Sequence, residues 1–259
     1  LQKFFEPIRD LAEKFNIIQT AIASAERTFE LLDTPEDMID PPIPIPVKQV
    51  RGQLEFCNMW FGYKTDKHIL KNISFSLLEG ESLAIVGATG AGKSSIINAL
   101  CRFYEIARGD ILLDGVSVQK MSKHDLRRQI SLVQQDVFLF SGNILDNIRL
   151  GNSDLPSEHV ESIAQSVNLH TFVDRLPGKY DQDIQERGSV LSLGQKQLLS
   201  FARALAADPR ILVLDEATSS IDTETERHIQ NGIKELIRGR TSIIIAHRLS
   251  TLKHVDKIL

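Results

Sequence analysis

The first 33 residues place apolar side chains with a period of seven. Leu1, Ile8, Phe15, Ile22 and Phe29 fill one heptad position, and Phe4, Leu11, Ile18, Ala25 and Leu32 the second. Such a seam predicts a long helix with one face packed on another helix. Pro7 falls near its start, where a residue without an N–H ends or kinks a helix unless that turn is loose. Pro41-Pro42-Ile43-Pro44-Ile45-Pro46 then breaks the pattern. Proline at that density suits neither a helix nor a central strand, so residues 41–52 read as an extended, stiff connector.

From about residue 50 short apolar runs alternate with helical patterns. Residues 53–61 and 73–78 predict antiparallel strands. Residues 82–86, 110–113, 130–133, 211–214 and 242–246 predict further strands, the last two buried. Residues 92–103, 192–207 and 223–237 predict helices, and 141–176 several short ones divided by Gly, Asn, Ser and Pro. Short buried strands alternating with helices imply a largely parallel sheet covered on both faces.

Composition narrows the class. At 42% hydrophobic and 25% charged residues the chain is ordinary globular protein. Its 259 residues bury a core without disulfide staples, and Cys57 and Cys101 lack the paired spacing of a zinc site. A net charge of −4 argues against nucleic-acid binding by bulk charge. No apolar run reaches the roughly 18 residues of a membrane span. The chain starts without Met and stops within a strand-like run, Lys257-Ile258-Leu259, so a piece of a longer protein is expected.

Gly87-Ala88-Thr89-Gly90-Ala91-Gly92-Lys93-Ser94, followed by Ser95, is a phosphate-loop pattern between a predicted strand and a predicted helix. Its glycines let the backbone curl so that N–H groups face a polyphosphate, and the helix start adds positive potential. Lys93 can reach the β- and γ-phosphates, and the Ser94 hydroxyl can hold Mg²⁺. An accidental Gly-rich turn rarely meets all these conditions. Ile211-Leu212-Val213-Leu214-Asp215-Glu216 runs four apolar residues into two carboxylates. A buried strand delivers such carboxylates to the sheet edge where ligands of open α/β folds bind. Asp215 can hold the metal or its water, and Glu216 can act as general base on an attacking water. Alone, this pattern also fits a solvated strand end.

With Leu191-Ser192-Leu193-Gly194-Gln195 upstream of Asp215, the chain resembles the ATP-binding domain of an ABC transporter, whose signature is Leu-Ser-Gly-Gly-Gln. The resemblance covers residues 52–259. It implies an α/β fold: a phosphate-loop, mostly parallel sheet with an antiparallel β subdomain and a helical subdomain at about 136–208, preceded by a long N-terminal helix. By resemblance Tyr63 stacks on adenine, Gln135 contacts Mg²⁺ and the attacking water, and His247 contacts the γ-phosphate. Ser219 and Asp222, in Ser219-Ser220-Ile221-Asp222, lie in the loop that crosses to a partner domain. Gln185-Glu186-Arg187-Gly188 touches transmembrane helices in exporters. Each has a plainer alternative: a half-buried strand tyrosine, a surface amide, a core histidine. Residues 1–40 resemble the cytoplasmic end of an exporter's last transmembrane helix. The implied protein is a fused half-transporter at the cytoplasmic face of a membrane, with residues 53–259 as its ATP-binding domain, ATP and Mg²⁺ as cofactors and a second half-transporter as partner.

Leu193 departs from the pattern, which has glycine there. In the family two domains sandwich two ATP molecules, each signature facing the other domain's phosphate loop. Leucine adds bulk and restricts the backbone where N–H groups approach the γ-phosphate. The expectation is therefore a heterodimer with one competent and one degenerate site; a homodimer that tolerates leucine is the alternative. Two further classes compete: a soluble ABC-type ATPase acting on nucleic acid or ribosomes, and a regulatory module that binds ATP without hydrolysis.

Overall fold

The computed structural model describes residues 2–34, 38–47, 49–64, 67–150, 152, 154–215, 223–246, 252–253 and 255–259. Two compact units divide the chain, Leu1–Ile39 and Asp40–Leu259. The first is helix α1, Gln2–Leu32. It runs through Pro7, whose missing N–H removes one intrahelical bond close to the helix start. Ile8, Phe15, Ile22, Phe29, Phe4, Leu11, Ile18 and Leu32 of the heptad seam are all exposed. Thr20, Ser24 and Thr28 turn their hydroxyls back onto the carbonyls of Asn16, Thr20 and Ser24, each at 2.9 Å. Among the described residues, no helix is long and apolar enough to cross a membrane.

The second unit holds two sheets. β1 (Leu54–Phe61), β2 (Leu70–Leu77), β4 (Arg108–Leu113) and β5 (Val116–Ser117) form an antiparallel sheet in the order β2-β1-β4-β5. β3 (Ser82–Ile85), β6 (Ile130–Val133), β7 (Ile211–Asp215), β8 (Thr241–Ile245) and β9 (Lys257–Ile258) form a parallel sheet in the order β6-β7-β8-β3-β9. β3 and β8 are buried along their whole length, and β7 up to Asp215, as a parallel sheet covered on both faces requires. The helices are α2 (Lys93–Leu100), α3 (Lys123–Arg128), α4 (Ile144–Arg149), α5 (Ser157–Ser166), α6 (His170–Val173), α7 (Leu193–Ala206) and α8 (Thr223–Ile237).

Two apolar cores separate the work. One joins α2 to both sheets through residues such as Phe56, Phe61, Ile85, Ile97 and Ile243. The other packs α4 to α8 on the parallel sheet through Ile148, Phe201, Leu214, Ile233 and Ile244. Cys101 sits in the first, where burial pushes its thiol up to about 11 and keeps it neutral. The proline-rich residues are not a free spacer. Ile45 N–H donates to Lys120 O at 2.8 Å, and Val47 and Val50 pack on the first core. Asp40 accepts from Lys123 N–H at 2.8 Å, and the Asp114 carboxylate accepts from the N–H groups of Arg51, Gly52 and Gln53.

Candidate functional site

Parallel register builds the site. Ile85, at the end of β3, pairs with Ile245 of β8, which pairs with Asp215 at the end of β7. Leu214 pairs with Val133, the last residue of β6. The strand ends therefore form one row. Asp215 stands two strands, about 10 Å, from the point where the chain leaves β3 for the phosphate loop. This is the carboxyl edge of the sheet, the ligand-binding edge of open α/β folds.

The loop after β3 curls tightly. Gly90 and Gly92 take φ of +83° and +95°. At Gly92 a side chain would meet more than backbone strain. A Cβ there would lie 2.8 Å from Leu70 Cδ2 and 3.2 Å from Ile69 Cγ2, so the start of β2 closes over the loop. Gly92 also caps α2 without any side-chain hydrogen bond. Among the described residues, the N–H groups of Gly90, Gly92, Lys93 and Ser94 donate to no other backbone group. They are the orphan donors of a helix start, backed by the positive end of the helix. Lys93 folds over the loop, its Nζ donating to Gly87 O at 2.9 Å and Ala88 O at 3.0 Å.

A cleft of ≈ 390 Å³ lies at this edge. Thr89, Gly90, Gly92, Lys93, Ser94, Ser95, Gln135 and Asp215 line it, with Ile69 and Ile245. Segments 69, 89–95, 135, 215 and 245 thus meet in one place. An ammonium and unshared N–H groups suit a polyanion. The hydroxyl of Ser94, the amide of Gln135 and the carboxylate of Asp215 are hard oxygen donors and fit Mg²⁺.

Tyr63 stands beside this cleft and is 44% exposed, leaving surface for a planar ligand. Its hydroxyl lies 3.2 Å from Ser95 Oγ and accepts from Asn98 Nδ2 at 2.8 Å. Phe61 and Tyr104 meet the ring edge-on, with centroids 5.1 and 4.9 Å away. Asn98 and Tyr104 escaped the sequence reading. Their only signal there was a polar and an aromatic residue on and just after the helix of the phosphate loop.

The signature residues open α7 away from that cleft's lining. Ser192 caps the helix: its Oγ accepts from Gln195 N–H at 3.3 Å, and Gln195 Oε1 accepts from Ser192 N–H at 2.8 Å. This capping box was legible as Ser-x-x-Gln and went unread. Leu191 and Gly194 are buried, and Leu193 is half exposed. Leu193 is the first residue of α7 and has no positive φ, so the backbone there does not need glycine. Leucine therefore puts no strain on the backbone at this position, and the bulk of its side chain is the part of the expectation that the geometry leaves. Gln185, Glu186 and Ser189 line a ≈ 740 Å³ depression with Phe138 and Phe140. Glu216, Ser219, Asp222 and His247 lie outside the described residues.

The family model for ABC transporters matches residues 70–219. The chain belongs to the ABC transporter family. The ABC transporter ATP-binding protein YknV of Bacillus subtilis is 46% identical over 259 residues, all of this chain and 43% of that protein. A fatty acid ABC transporter ATP-binding/permease protein of Mycobacterium tuberculosis is 42% identical over 259 residues, all of this chain and 41% of that one. The structure of a bacterial Atm1-family ABC exporter with ATP bound is similar with a TM-score of 0.83 at 37% identity, covering 100% of this chain and 46% of that chain. The ABC domain described here thus spans less than half the length of these relatives. It corresponds to their ATP-binding part, an ATPase domain with the α/β fold expected from the motifs.

Proposed function

We propose that this ABC domain binds and hydrolyses MgATP to drive export by a transmembrane domain of the same protein, at the cytoplasmic face of a membrane. The observation that carries the reading is the single cleft shared by Lys93, Ser94, Gln135 and Asp215. Tyr63 stacks on adenine. Within the loop of residues 87–95, the unshared N–H groups of Gly90, Gly92, Lys93 and Ser94 and the Lys93 ammonium hold the phosphates. Ser94, Asp215 and Gln135 hold Mg²⁺, which when bound offsets the phosphate charge. Glu216 takes a proton from water as the water oxygen bonds to the γ-phosphorus and the bond to the β–γ bridging oxygen breaks. Lys93 and His247 stabilise the charge on the transferred group. The exposed pair Phe138 and Phe140, beside Gln185 and Glu186, supports this face as the contact with the transmembrane domain.

Glu216→Gln in the full-length protein tests the reading. ATP binding persists and turnover falls by at least about 100-fold; turnover near the unaltered rate removes Glu216 as the base.

The second half of the proposal concerns the partner. Two such domains close head to tail on ATP, Ser219 and Asp222 lying in the crossing loop. The exposed Leu193 side chain occupies the surface that the signature offers to the opposite phosphate, so the site borrowing it is impaired and a heterodimer is favoured. Leu193→Gly raises turnover and ATP-driven closure of the assembled transporter. Full activity of this half alone, unaltered by Leu193→Gly, establishes the homodimer instead. No nucleic-acid partner is expected, as no basic excess exists.

A further inference from the structure

A buried amide and a part-buried guanidinium outside the cleft bind each other and the loop that leaves it. Asn147 of α4 is 1% exposed. Its Oδ1 accepts from Phe140 N–H at 3.0 Å and from Arg203 Nη2 at 2.9 Å. Its Nδ2 donates to Phe140 O at 2.9 Å and Asn143 O at 3.0 Å. Arg203, on α7, donates from Nε to Asn147 O at 3.0 Å and from Nη1 to Phe138 O at 2.9 Å. Its guanidinium carbon sits 5.8 Å from the centre of the Phe140 ring. The Asn147 amide is thus fully used, and three donors of one rigid fork meet three acceptors on two segments.

Buried polar groups can often be replaced by apolar ones at little cost in stability, so joining α4 to α7 does not by itself require this pair. A filled polar network adds a fixed geometry. The segment it fixes begins at Phe138, three residues after Gln135. On the other side Val133 is held in the sheet by its pairing with Leu214. The four residues 134–137 are therefore pinned at both ends, to the sheet and to α7, with Gln135 in the cleft between. The same α7 starts at the signature, so its position and that of Gln135 are mechanically joined.

We infer that Arg203 and Asn147 are positioning residues for ATP turnover: they lock Phe138–Phe140 to α7 and thereby set where Gln135 stands in the cleft. This rests on the reading of Gln135 as a contact of the metal and the attacking water. The test is a double-mutant cycle on kcat in the full-length protein, with KM for MgATP and melting temperature measured alongside. Arg203→Lys keeps the charge but not the three-way fork. It lowers kcat about tenfold, as small misplacements do, with KM unchanged within about twofold. Asn147→Asp keeps the acceptor for Arg203 and loses the donation to Phe140 O; it gives the same pattern. In a Gln135→Ala background neither change lowers kcat further. Losses that multiply overturn the inference and leave the reading of Gln135 standing. A Gln135→Ala protein with unaltered kcat overturns that reading, and the inference with it. Loss of thermal stability without loss of kcat, or failure of both clamp variants to fold, makes the pair merely structural.

Discussion

Two helix starts in this ABC domain are closed by different caps. α2 begins after Gly92, a left-handed residue that offers no side-chain cap, and Lys93 and Ser94, whose N–H groups have no backbone acceptor, line the cleft. α7 begins after Ser192, where a capping box uses the Ser192 and Gln195 N–H groups internally. Both ends carry the positive potential of a helix N-terminus. Among the described residues, both leave their first two N–H groups without a backbone acceptor, Lys93 and Ser94 in α2 and Leu193 and Gly194 in α7. The difference lies in the cap: a side-chain box orders the start of α7, while a left-handed glycine and the curled loop set the start of α2. At α7 it is the Leu193 side chain that stands out from those donors.

The largest effect is expected at Gly92. A Cβ there would press on Leu70 and Ile69 while the backbone stays at φ +95°. Gly92→Ala should cost about 2 kcal/mol of stability through the strained backbone. Because relief of the clash shifts the loop, the rise in melting temperature that MgATP gives the unaltered protein should vanish. Thermal unfolding with and without MgATP reads both. An unchanged MgATP shift would mean that the loop's shape is not what makes α2 the receptor.

How much of this was written in the sequence differs between the two ends. The phosphate loop, the buried strands before it and before Asp215, and α8 are local patterns, and the strand and helix bounds agree within a few residues. β5 and β9 hold two residues each, too short for any period to register. β2 starts at Leu70, three residues before its predicted start, because its early residues are held by pairing with Phe61 rather than by alternation. The anchoring of Ile45 on Lys120 and the pair Asn147–Arg203, 56 residues apart, are long-range and leave no local signature. Tyr63 was legible as an aromatic in place, but its pinning by Asn98, 35 residues on, was not.

A middle-sized effect probes α7. Gln195→Ala removes the acceptor of the Ser192 N–H and should cost about 1 kcal/mol, as losing part of a cap does. The melting temperature falls by about 2–4 °C for a chain of this size, while ATP affinity at the phosphate loop is unchanged. A large loss of ATP affinity would break the comparison, since it would show the two helix starts to be coupled within one chain.

The smallest effect sharpens the comparison from the strand that carries the phosphate loop. β3 is gripped at its first residue by Asp256, whose carboxylate accepts from Ser82 N–H at 2.8 Å and Ser82 Oγ at 2.6 Å. Those two bonds hold the Asp256 pKa below the usual carboxylate range, the side-chain bond contributing most. A depressed carboxylate stabilises the fold above its unfolded pKa of about 3.9 and loses that contribution as the pH falls through the lower folded value. Asp256→Asn should therefore cost about 1 kcal/mol at pH 7, the low end for bonds to a charged group, because Asp256 is exposed and screened. The gap in melting temperature between the two proteins should persist down to about pH 4 and close below it. A gap that stays constant into that acid range would mean that the charge on Asp256 plays no part in holding β3, and that Ser82 is served as well by a neutral amide.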